Sequence, residues 1–448
     1  MAKGGGGTWT SQNKIRPGVY FRFKSTAGLG LTVGERGTVT ICEPMSWGPV
    51  AQVMQVEAGA DMTPFTGYDI TAPQNRFLNE IFKGSNRTSA PNKVLLYRPA
   101  ASSSAEATVK VAPLTATALY PGARGNDISI TITELTEPED TFTVSTIVDG
   151  AIVDQQQAQT VEDLVPNDWV TWSGTGALAA STGAALTGGA DGTVQSAAYS
   201  TYLTAIEPYK FDIMIYDGTD TTVMDAMSAF VKRIVEDSGA YSQLVAANMT
   251  NPDSRFIINV MSGVTLSDGT VLTPQQTTWW VGGAQAGAMY NQDLTYASYP
   301  GAVDVNPLMT NSQYEAADQA GQITLWADDG VVKVEYDINS LVTYTPDIGK
   351  VFRLNRTMRL CSTIANDIYQ QFSDNYVGVV NNNEAGRMMF KSAIVGYLLD
   401  IQANQGIQNF EADDVEVLPG TDVDAVLVNI AIQVVGSANK IYLTVEVS

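Results

Sequence analysis

No histidine occurs in the 448-residue chain. That absence removes the commonest general base, the usual activator of a serine or cysteine nucleophile and the most frequent zinc ligand. Ser-His triads, Cys-His dyads and His-zinc sites are therefore excluded. Cys42 and Cys361 are the only cysteines and lie far apart in sequence, so no CxxC knuckle or disulfide framework can be written, and a reducing compartment is expected. Basic residues are scarce as well: 25 Lys plus Arg against 47 Asp plus Glu leave a net charge of −22. A phosphate backbone calls for a broad basic footprint, so no nucleic-acid partner is expected. No apolar run approaches the roughly 20 residues that span a bilayer. The run Ala393 to Leu399 is flanked by Lys391 and Asp400, and no membrane insertion is expected. The opening MAKGGGGTWTSQNK lacks an apolar core and does not read as a secretory signal, so the sequon at Asn86 carries no glycosylation meaning.

Catalytic motifs are missing too. Walker A, HExxH, GxSxG and EF-hand spacings do not occur. Gly174, Gly176 and Ala179 fit a relaxed dinucleotide fingerprint, but they sit in a Gly/Ala/Thr-rich stretch with no strand before them, and they read as a loop. Asp212, Asp217, Asp220 and Asp225 could be imagined around a hard cation. Turn chemistry explains the same residues, with Asp217-Gly218 as a turn and Asp220 or Thr221 as a helix cap. Paired carboxylates are the one catalytic device left, and candidates such as Glu335 with Asp337, or Asp413 with Asp414, read as solvated faces. No catalytic residue, cofactor or metal ligand is assigned, and no enzyme is expected.

What is present is an ordered change of pattern, read as an α+β multidomain chain. Residues 1–27 form an N-terminal arm, with Gly4 to Gly7 as a flexible lead. Residues 28–97 form the first part of an α/β core, with strands at Thr38 to Cys42 and Lys93 to Tyr97 and a helical stretch near Asn75 to Phe82. Residues 98–192 are rich in Thr, Ser, Ala and Gly in alternating runs and read as an all-β inserted domain. Residues 193–345 alternate strand and helix and predict a helix-covered sheet, with the helix opened by Thr273-Pro274 packed closely on a neighbour through Gly282, Gly283 and Gly287. Residues 346–434 form an α+β C-terminal domain, and 435–448 a C-terminal arm. Its second helix, Arg387 to Gln405, is apolar nearly all round and is expected to be mostly buried, with Gly406 as its stop.

Two features point outward. Val19, Tyr20, Phe21, Arg22 and Phe23 alternate in character behind the glycine lead. At the other end Ile441, Tyr442, Leu443, Thr444, Val445, Glu446 and Val447 do the same. Both are predicted strands; without a partner in their own domain they are suited to strand exchange between subunits. Arg353, Arg356 and Arg359 are predicted to project opposite the apolar face of a helix containing Met358 and Cys361, an exposed basic stripe in an acidic chain.

Several segments, in order, resemble the contractile tail sheath proteins of bacteriophages and R-type bacteriocins. They are RPGVYFRF at Arg16 to Phe23, ALYPGARGNDISITI at Ala118 to Ile132 with its Gly122 to Asp127 turn, and WWVGGAQAGAMYNQDLTYASYPGA. VKVEYDINSLVTY and the long FRLNRTMRLCSTIANDIYQQF stretch through Ile394 complete the set. The resemblance implies a structural polymer, a virion or bacteriocin tail component assembled in the bacterial cytoplasm. It implies sixfold rings of the chain stacked around a tail tube protein, bounded by baseplate and tail terminator proteins, contracting to drive the tube through a cell envelope. It also implies that terminal arms add strands to neighbouring subunits, which the two terminal strands fit. Arg353, Arg356 and Arg359, with Lys391 behind them, become candidate tube contacts.

Two other readings are open at this level: a carboxylate-dependent, glycosidase-like enzyme, and another self-assembling shell such as a capsid or surface layer. The first would need a pocket with opposed carboxylates. The second is disfavoured for a surface layer by the missing secretion signal and anchoring repeats.

Overall fold

The computed structural model describes residues 36–444 and, before them, the backbone of two short strands, Gly5–Thr8 and Gly18–Phe21. The chain divides into two compact units, one of residues 34–366 with 434–448, the other of residues 1–33 with 367–433.

The first unit is organised by a seven-stranded sheet. Its strands are β1 (Thr38–Cys42), β2 (Val53–Glu57), β3 (Lys93–Tyr97), β4 (Ile213–Ile215), β5 (Gln243–Ala247), β6 (Ile257–Val260) and β7 (Gln322–Ile323), in spatial order β7-β6-β5-β4-β1-β3-β2. All neighbours run parallel except β2, which is antiparallel to β3. Strands buried on both faces read as unbroken apolar runs, and period-two alternation then sorts their side chains between two cores. Val39, Ile41, Ile213, Ile215, Val245 and Ala247 face one core, while Cys42, Met214, Tyr216, Leu244 and Ala246 face the other.

Helix α1 (Thr221–Ser238) covers the second of these faces with Val223, Met227, Phe230 and Val231. Its start is fixed by Asp220, whose Oδ1 accepts the Thr222 N–H at 2.9 Å, and its end by Gly239 at φ 67°. Helix α2 (Pro274–Gly287) covers the other face with Trp279, Trp280, Val281 and Ala284. Thr273 and Gln276 cap it reciprocally, with the Gln276 N–H reaching Thr273 Oγ1 at 3.3 Å and the Thr273 N–H reaching Gln276 Oε1 at 3.1 Å. The expected close packing is present: a Cβ added at Gly283 would lie 2.0 Å from the Ile81 carbonyl oxygen.

Between β3 and β4 the chain departs into an all-antiparallel β insert. A four-stranded sheet orders Ala151–Ala158, Phe142–Val148, Ile128–Glu134 and Ser181–Ala185, and a three-stranded sheet orders Val170–Ser173, Leu114–Ala118 and Thr108–Val111. Alternate residues Ile128, Ile130 and Ile132 meet Leu114, Ala116 and Ala118 in its interior. The two connections to the core run side by side, Ala101–Ser102 pairing antiparallel with Thr193–Val194.

Trp47, which comes from the core sequence, is 1% exposed and belongs to the core of the insert. Its ring lies 5.0 Å from Trp169 and 5.3 Å from Tyr120. Beside it Arg124 donates from Nε to the Gly67 carbonyl at 3.0 Å, stands 4.1 Å over the Tyr68 ring, and forks onto Asp149 at 2.8 and 2.6 Å. Arg98 adds a second guanidinium, donating to the Gly48 carbonyl at 2.7 Å and to the Pro121 carbonyl at 2.6 Å, so the seam combines an aromatic wedge with two multiply bonded guanidinium groups.

Helix α3 (Asn355–Asn375) begins in the first unit and ends in the second. Within the second unit Phe372, Tyr376 and Phe390 form a ring cluster with centroids 4.2–5.5 Å apart. Helix α4 (Glu384–Ala403) adds Ile394, Tyr397, Leu398 and Ile401, and the Tyr397 hydroxyl donates to Asp367 Oδ2 at 2.8 Å. Strands β8 (Val415–Pro419) and β9 (Val426–Ile430) form an antiparallel hairpin.

Helix α4 departs from expectation in two ways. One face is buried, but Met388 is 62% exposed and Met389 and Leu399 are exposed with it, so its all-round apolarity is not matched by all-round burial in the single chain. Its left-handed terminal residue is Gln405 at φ 62°, and Gly406 follows, donating its N–H to the Ile401 carbonyl at 2.9 Å.

Candidate assembly interface

The Gly18–Phe21 strand contains Val19, Tyr20 and Phe21; Arg22 and Phe23 lie outside the described residues. It pairs parallel with Gly5–Thr8, in register Gly5 with Gly18 and Thr8 with Phe21. The glycine lead, expected to be free, therefore supplies backbone donors and acceptors to a strand pair. At the other end Ile441, Tyr442 and Leu443 are strongly exposed, Tyr442 at 92%, and through Thr444 no strand forms. Val445, Glu446 and Val447 lie outside the described residues. Among the described residues nothing pairs with Ile441 to Thr444, and a strand pattern closes no ladder without a partner.

Open edges exist for such a segment. Hairpin β8–β9 is a two-stranded sheet, and among the described residues neither strand has a second neighbour. The same unit exposes Tyr369, Val377, Val379 and Met388, with Val423 at the hairpin turn 95% exposed. Exposed apolar side chains in this number mark surfaces that associate.

The predicted basic stripe is not a stripe. Arg359 is 1% exposed and pairs with Asp337, Nη2 to Oδ2 at 2.8 Å, both side chains sealed in the first unit. It also donates from Nη2 to the Gln292 carbonyl at 2.7 Å and from Nη1 to Gln285 Oε1. Asp337 is served by three more donors: Gln285 Nε2 at 2.7 Å, Asn355 Nδ2 at 2.9 Å and the Leu294 N–H at 3.0 Å. Burial pushes the Asp337 carboxyl up, but the Arg359 charge and these hydrogen bonds outweigh it and hold the carboxyl below its ordinary range. Arg356 turns to Ser437, donating to its Oγ at 2.7 Å, and Arg353 is half-buried with Nε and Nη2 shielded from water. The first turns of α3 bury Asn355, Thr357, Met358, Arg359 and Leu360, so no side of them is free to be a solvated face. Lys391, on α4, is partly exposed.

The imagined cation cluster is dispersed. Asp212 accepts from the Gly37 and Thr38 N–H groups at 2.9 and 3.0 Å and pairs with Arg36, while Asp220 caps α1. Among the described residues no group of acidic or thiol side chains is arranged to hold a metal ion, and no helix is long and apolar enough to cross a membrane. Gly174 and Gly176 lie between two sandwich strands with no helix behind them. Cys42 and Cys361 are both free thiols.

Sequence reasoning missed the carboxyl pair that the fold does bring together. Because β1 and β4 run parallel with Ile41 opposite Ile215, the next residues but one, Glu43 and Asp217, face each other at the carboxyl ends of the strands. Trp279 Nε1 donates to Asp217 Oδ2 at 2.8 Å, whereas Glu43 Oε2 is shielded from water and has no such donor. Burial first, then the Asp217 charge and a proton shared with it, push Glu43 well up. Asp217 is also raised by burial, against the bonds from Glu43 and Trp279. Folded-state values above the unfolded ones mean that stability is fully present at low pH and falls as pH rises from about 4 through the folded values. Glu43→Gln, which keeps the shape and removes the charge, is expected to raise the melting temperature at pH 8, the gain vanishing towards pH 4. Thermal unfolding at the two pH values checks this; equal gains at both would show that the pair is not the cause.

Comparison with known proteins accounts for the architecture. Four family models match consecutive segments: tail sheath protein Gp18 domain III N-terminal region at residues 36–98, phage tail sheath protein beta-sandwich domain at 101–191, phage tail sheath protein central domain at 192–340 and phage tail sheath C-terminal domain at 347–448. The phage-like element PBSX protein XkdK of Bacillus subtilis is 34% identical over 472 residues, covering 99% of this chain and 100% of that one. The crystal structure of the sheath tail protein from Desulfitobacterium hafniense matches with a TM-score of 0.85 at 42% identity, over 95% of this chain and 99% of that one. The helical sheath of the anti-feeding prophage in its contracted state shares the fold, with a TM-score of 0.58 at 13% identity over 98% of this chain and 99% of that one. A β-sandwich set into a helix-covered sheet and followed by an α+β domain is therefore the architecture of a structural particle component, and the chain belongs to the phage tail sheath protein family.

Proposed function

We propose that this protein polymerises as hexameric rings stacked around a tail tube protein, between a baseplate and a tail terminator, and contracts to drive the tube through a cell envelope. The polymer forms in the cytoplasm of the bacterial host. The observation that carries the reading is the coexistence, in one chain, of an exposed C-terminal segment, Ile441 to Leu443, that forms no strand through Thr444, and a hairpin, β8–β9, whose edges are open among the described residues. Strand addition from a neighbouring copy would satisfy both. A connection made of backbone hydrogen bonds can persist while subunits rotate and slide, and a head-to-tail contact of this kind propagates along a helix instead of closing. The work of contraction comes from free energy stored in a kinetically trapped assembly, so the role is non-enzymatic and needs no nucleotide. The exposed apolar face of α4 is covered in the same assembly. Of the basic residues considered for the tube, Arg359 is withdrawn because it is buried, and Lys391 on α4 takes its place as first candidate.

Electron microscopy over a concentration series, with and without tube protein, tests this. The intact chain is expected to form hollow tubes, copies lacking residues 1–24 or 441–448 to form none, and Lys391→Glu to weaken co-assembly with the tube alone. Truncated copies that assemble as well as the intact chain would overturn the arm mechanism. Failure of the intact chain under every condition would overturn the sheath reading itself.

A further inference from the structure

The C-terminal arm is not loose where it leaves the body of the protein. Residues 434–448 group with the first unit, although the chain before them belongs to the second. Ser437 Oγ accepts from Arg356 Nη1 at 2.7 Å. Asn439 Nδ2 donates to Asp293 Oδ2 at 3.3 Å, and its own N–H turns back to the Ser437 carbonyl at 2.9 Å. Lys440 Nζ stands 5.8 Å from the centre of the Tyr336 ring. Ser437 and Asn439 are partly buried, whereas from Lys440 on every described residue is exposed, Ile441 at 82%. The anchored part of the arm thus ends close to Lys440.

We infer that Arg356, Asp293 and Tyr336 form a latch that grips Ser437, Asn439 and Lys440 and so fixes where, and in what direction, the strand-donating segment from Ile441 onward leaves the subunit. The three gripping residues come from different parts of the first unit: the first turn of α3, the loop after α2 and the segment before Asp337. Each holds a different residue of the arm, so the segment is fixed in orientation as well as in place. The surrounding charges favour the same seat. Asp318, raised by burial, is lowered again by Arg353 and by Lys440, so the arm's own lysine lies within the field of an acid on the body. The consequence is entropic: an arm presented in one direction reaches a neighbour's hairpin edge with fewer conformations to lose than a free tail. Gly436 to Asn439 then act as the anchor, and the freedom to exchange begins at Ile441. Arg356, Asp293 and Tyr336 are positioning residues, not part of the ladder that the arm forms. This inference rests on the arm-exchange reading above.

The test uses the intact chain below its assembly concentration, with Ser437→Ala/Asn439→Ala as the variant, because both changes lie on the arm and leave the body untouched. Hydrogen–deuterium exchange of the peptide covering residues 436–443 is expected to quicken roughly tenfold, the size expected for loss of a charge-assisted hydrogen bond and its neighbour. The melting temperature should stay at that of the unaltered protein, and the concentration needed for tube formation should rise several-fold. Arg356→Lys, which keeps a donor, should fall between the two. Unchanged exchange in the double variant would overturn the latch even if tubes form normally. Faster exchange with an unchanged assembly concentration would overturn its positioning role while leaving the sheath reading intact. If no copy assembles at all, the sheath reading fails and the exchange result still decides whether the latch exists.

Discussion

Replacing Arg359 with methionine is expected to destabilise the protein by about 3–5 kcal/mol, because it leaves a buried carboxylate without its counter-charge. The size follows from the environment more than from the ion pair itself. Asp337 lies in the interior with Arg359 Nη2 at 2.8 Å, and the three remaining donors, Gln285, Asn355 and the Leu294 N–H, cannot replace a full positive charge. The dependence on pH separates this account from simple loss of packing. In the native protein Asp337 is held below its ordinary range, so it contributes stability above about pH 4 that is lost as pH falls through its folded value. In the variant, burial is opposed only by the remaining hydrogen bonds and raises the carboxyl, so acidification should neutralise it and restore stability. The two stability curves should converge on the acid side. Urea unfolding between pH 4 and 8 measures this, and a loss under 1 kcal/mol, or a gap constant with pH, would show that Arg359 does not carry the charge balance of the site. Asp337→Leu combined with Arg359→Met should recover part of the loss, with the unsatisfied Gln285 and Asn355 setting the remainder.

Trp47→Ala should cost a similar amount, about 3–5 kcal/mol, but in a different place. Trp47 is supplied by the core and consumed by the insert, filling the space between Trp169 and Tyr120. Gly67 is shaped to it, since a Cβ there would approach the indole to 2.8 Å. Without the wedge, the bonds from Arg124 to Gly67 and from Arg98 to Pro121 remain, and polar contacts exposed to newly admitted water hold a domain weakly. The insert should then unfold before the core. Calorimetry is expected to show one transition for the native chain and two for the variant, with early proteolysis near residues 101–104 and 192–194. A single transition at an unchanged temperature would mean that the insert does not depend on the wedge.

Much of this molecule could be read before its structure. Thr38–Cys42 and Lys93–Tyr97 form strands at the expected bounds, Asp220 caps its helix, and Thr273-Pro274 opens the next. These are local signals, carried by a few adjacent residues. The glycines of α2 were legible for a related reason, because small residues on a helix face have few uses other than close approach. Family resemblance, spread thinly over motifs in order, identified the sheath architecture where no single motif could. Pairing across long sequence separations was not legible. Arg359 looked exposed because its partner Asp337 stands 22 positions earlier, beyond any helical spacing. Glu43 and Asp217 are 174 positions apart and meet only because β1 and β4 are neighbours in the sheet. The low share of charged residues, 16%, held a usable hint: in so sparingly charged a chain, an acid inside an apolar run, as in YDINSL, needs an internal base. Helix α4 misled for the opposite reason, since apolarity states that a face will be covered without stating by what.

The two strands that lead into and out of the insert pair side by side, Ala101 with Val194 and Ser102 with Thr193. Antiparallel partners lie only about 5 Å apart, so the inserted stretch has, from the viewpoint of the core, nearly coincident ends. Such a junction behaves as a cassette socket. Whatever folds between those ends can lengthen, shrink or be exchanged for an unrelated module without shifting the strands on either side, which makes the junction a natural site of evolutionary turnover and a ready attachment point for displaying a foreign domain.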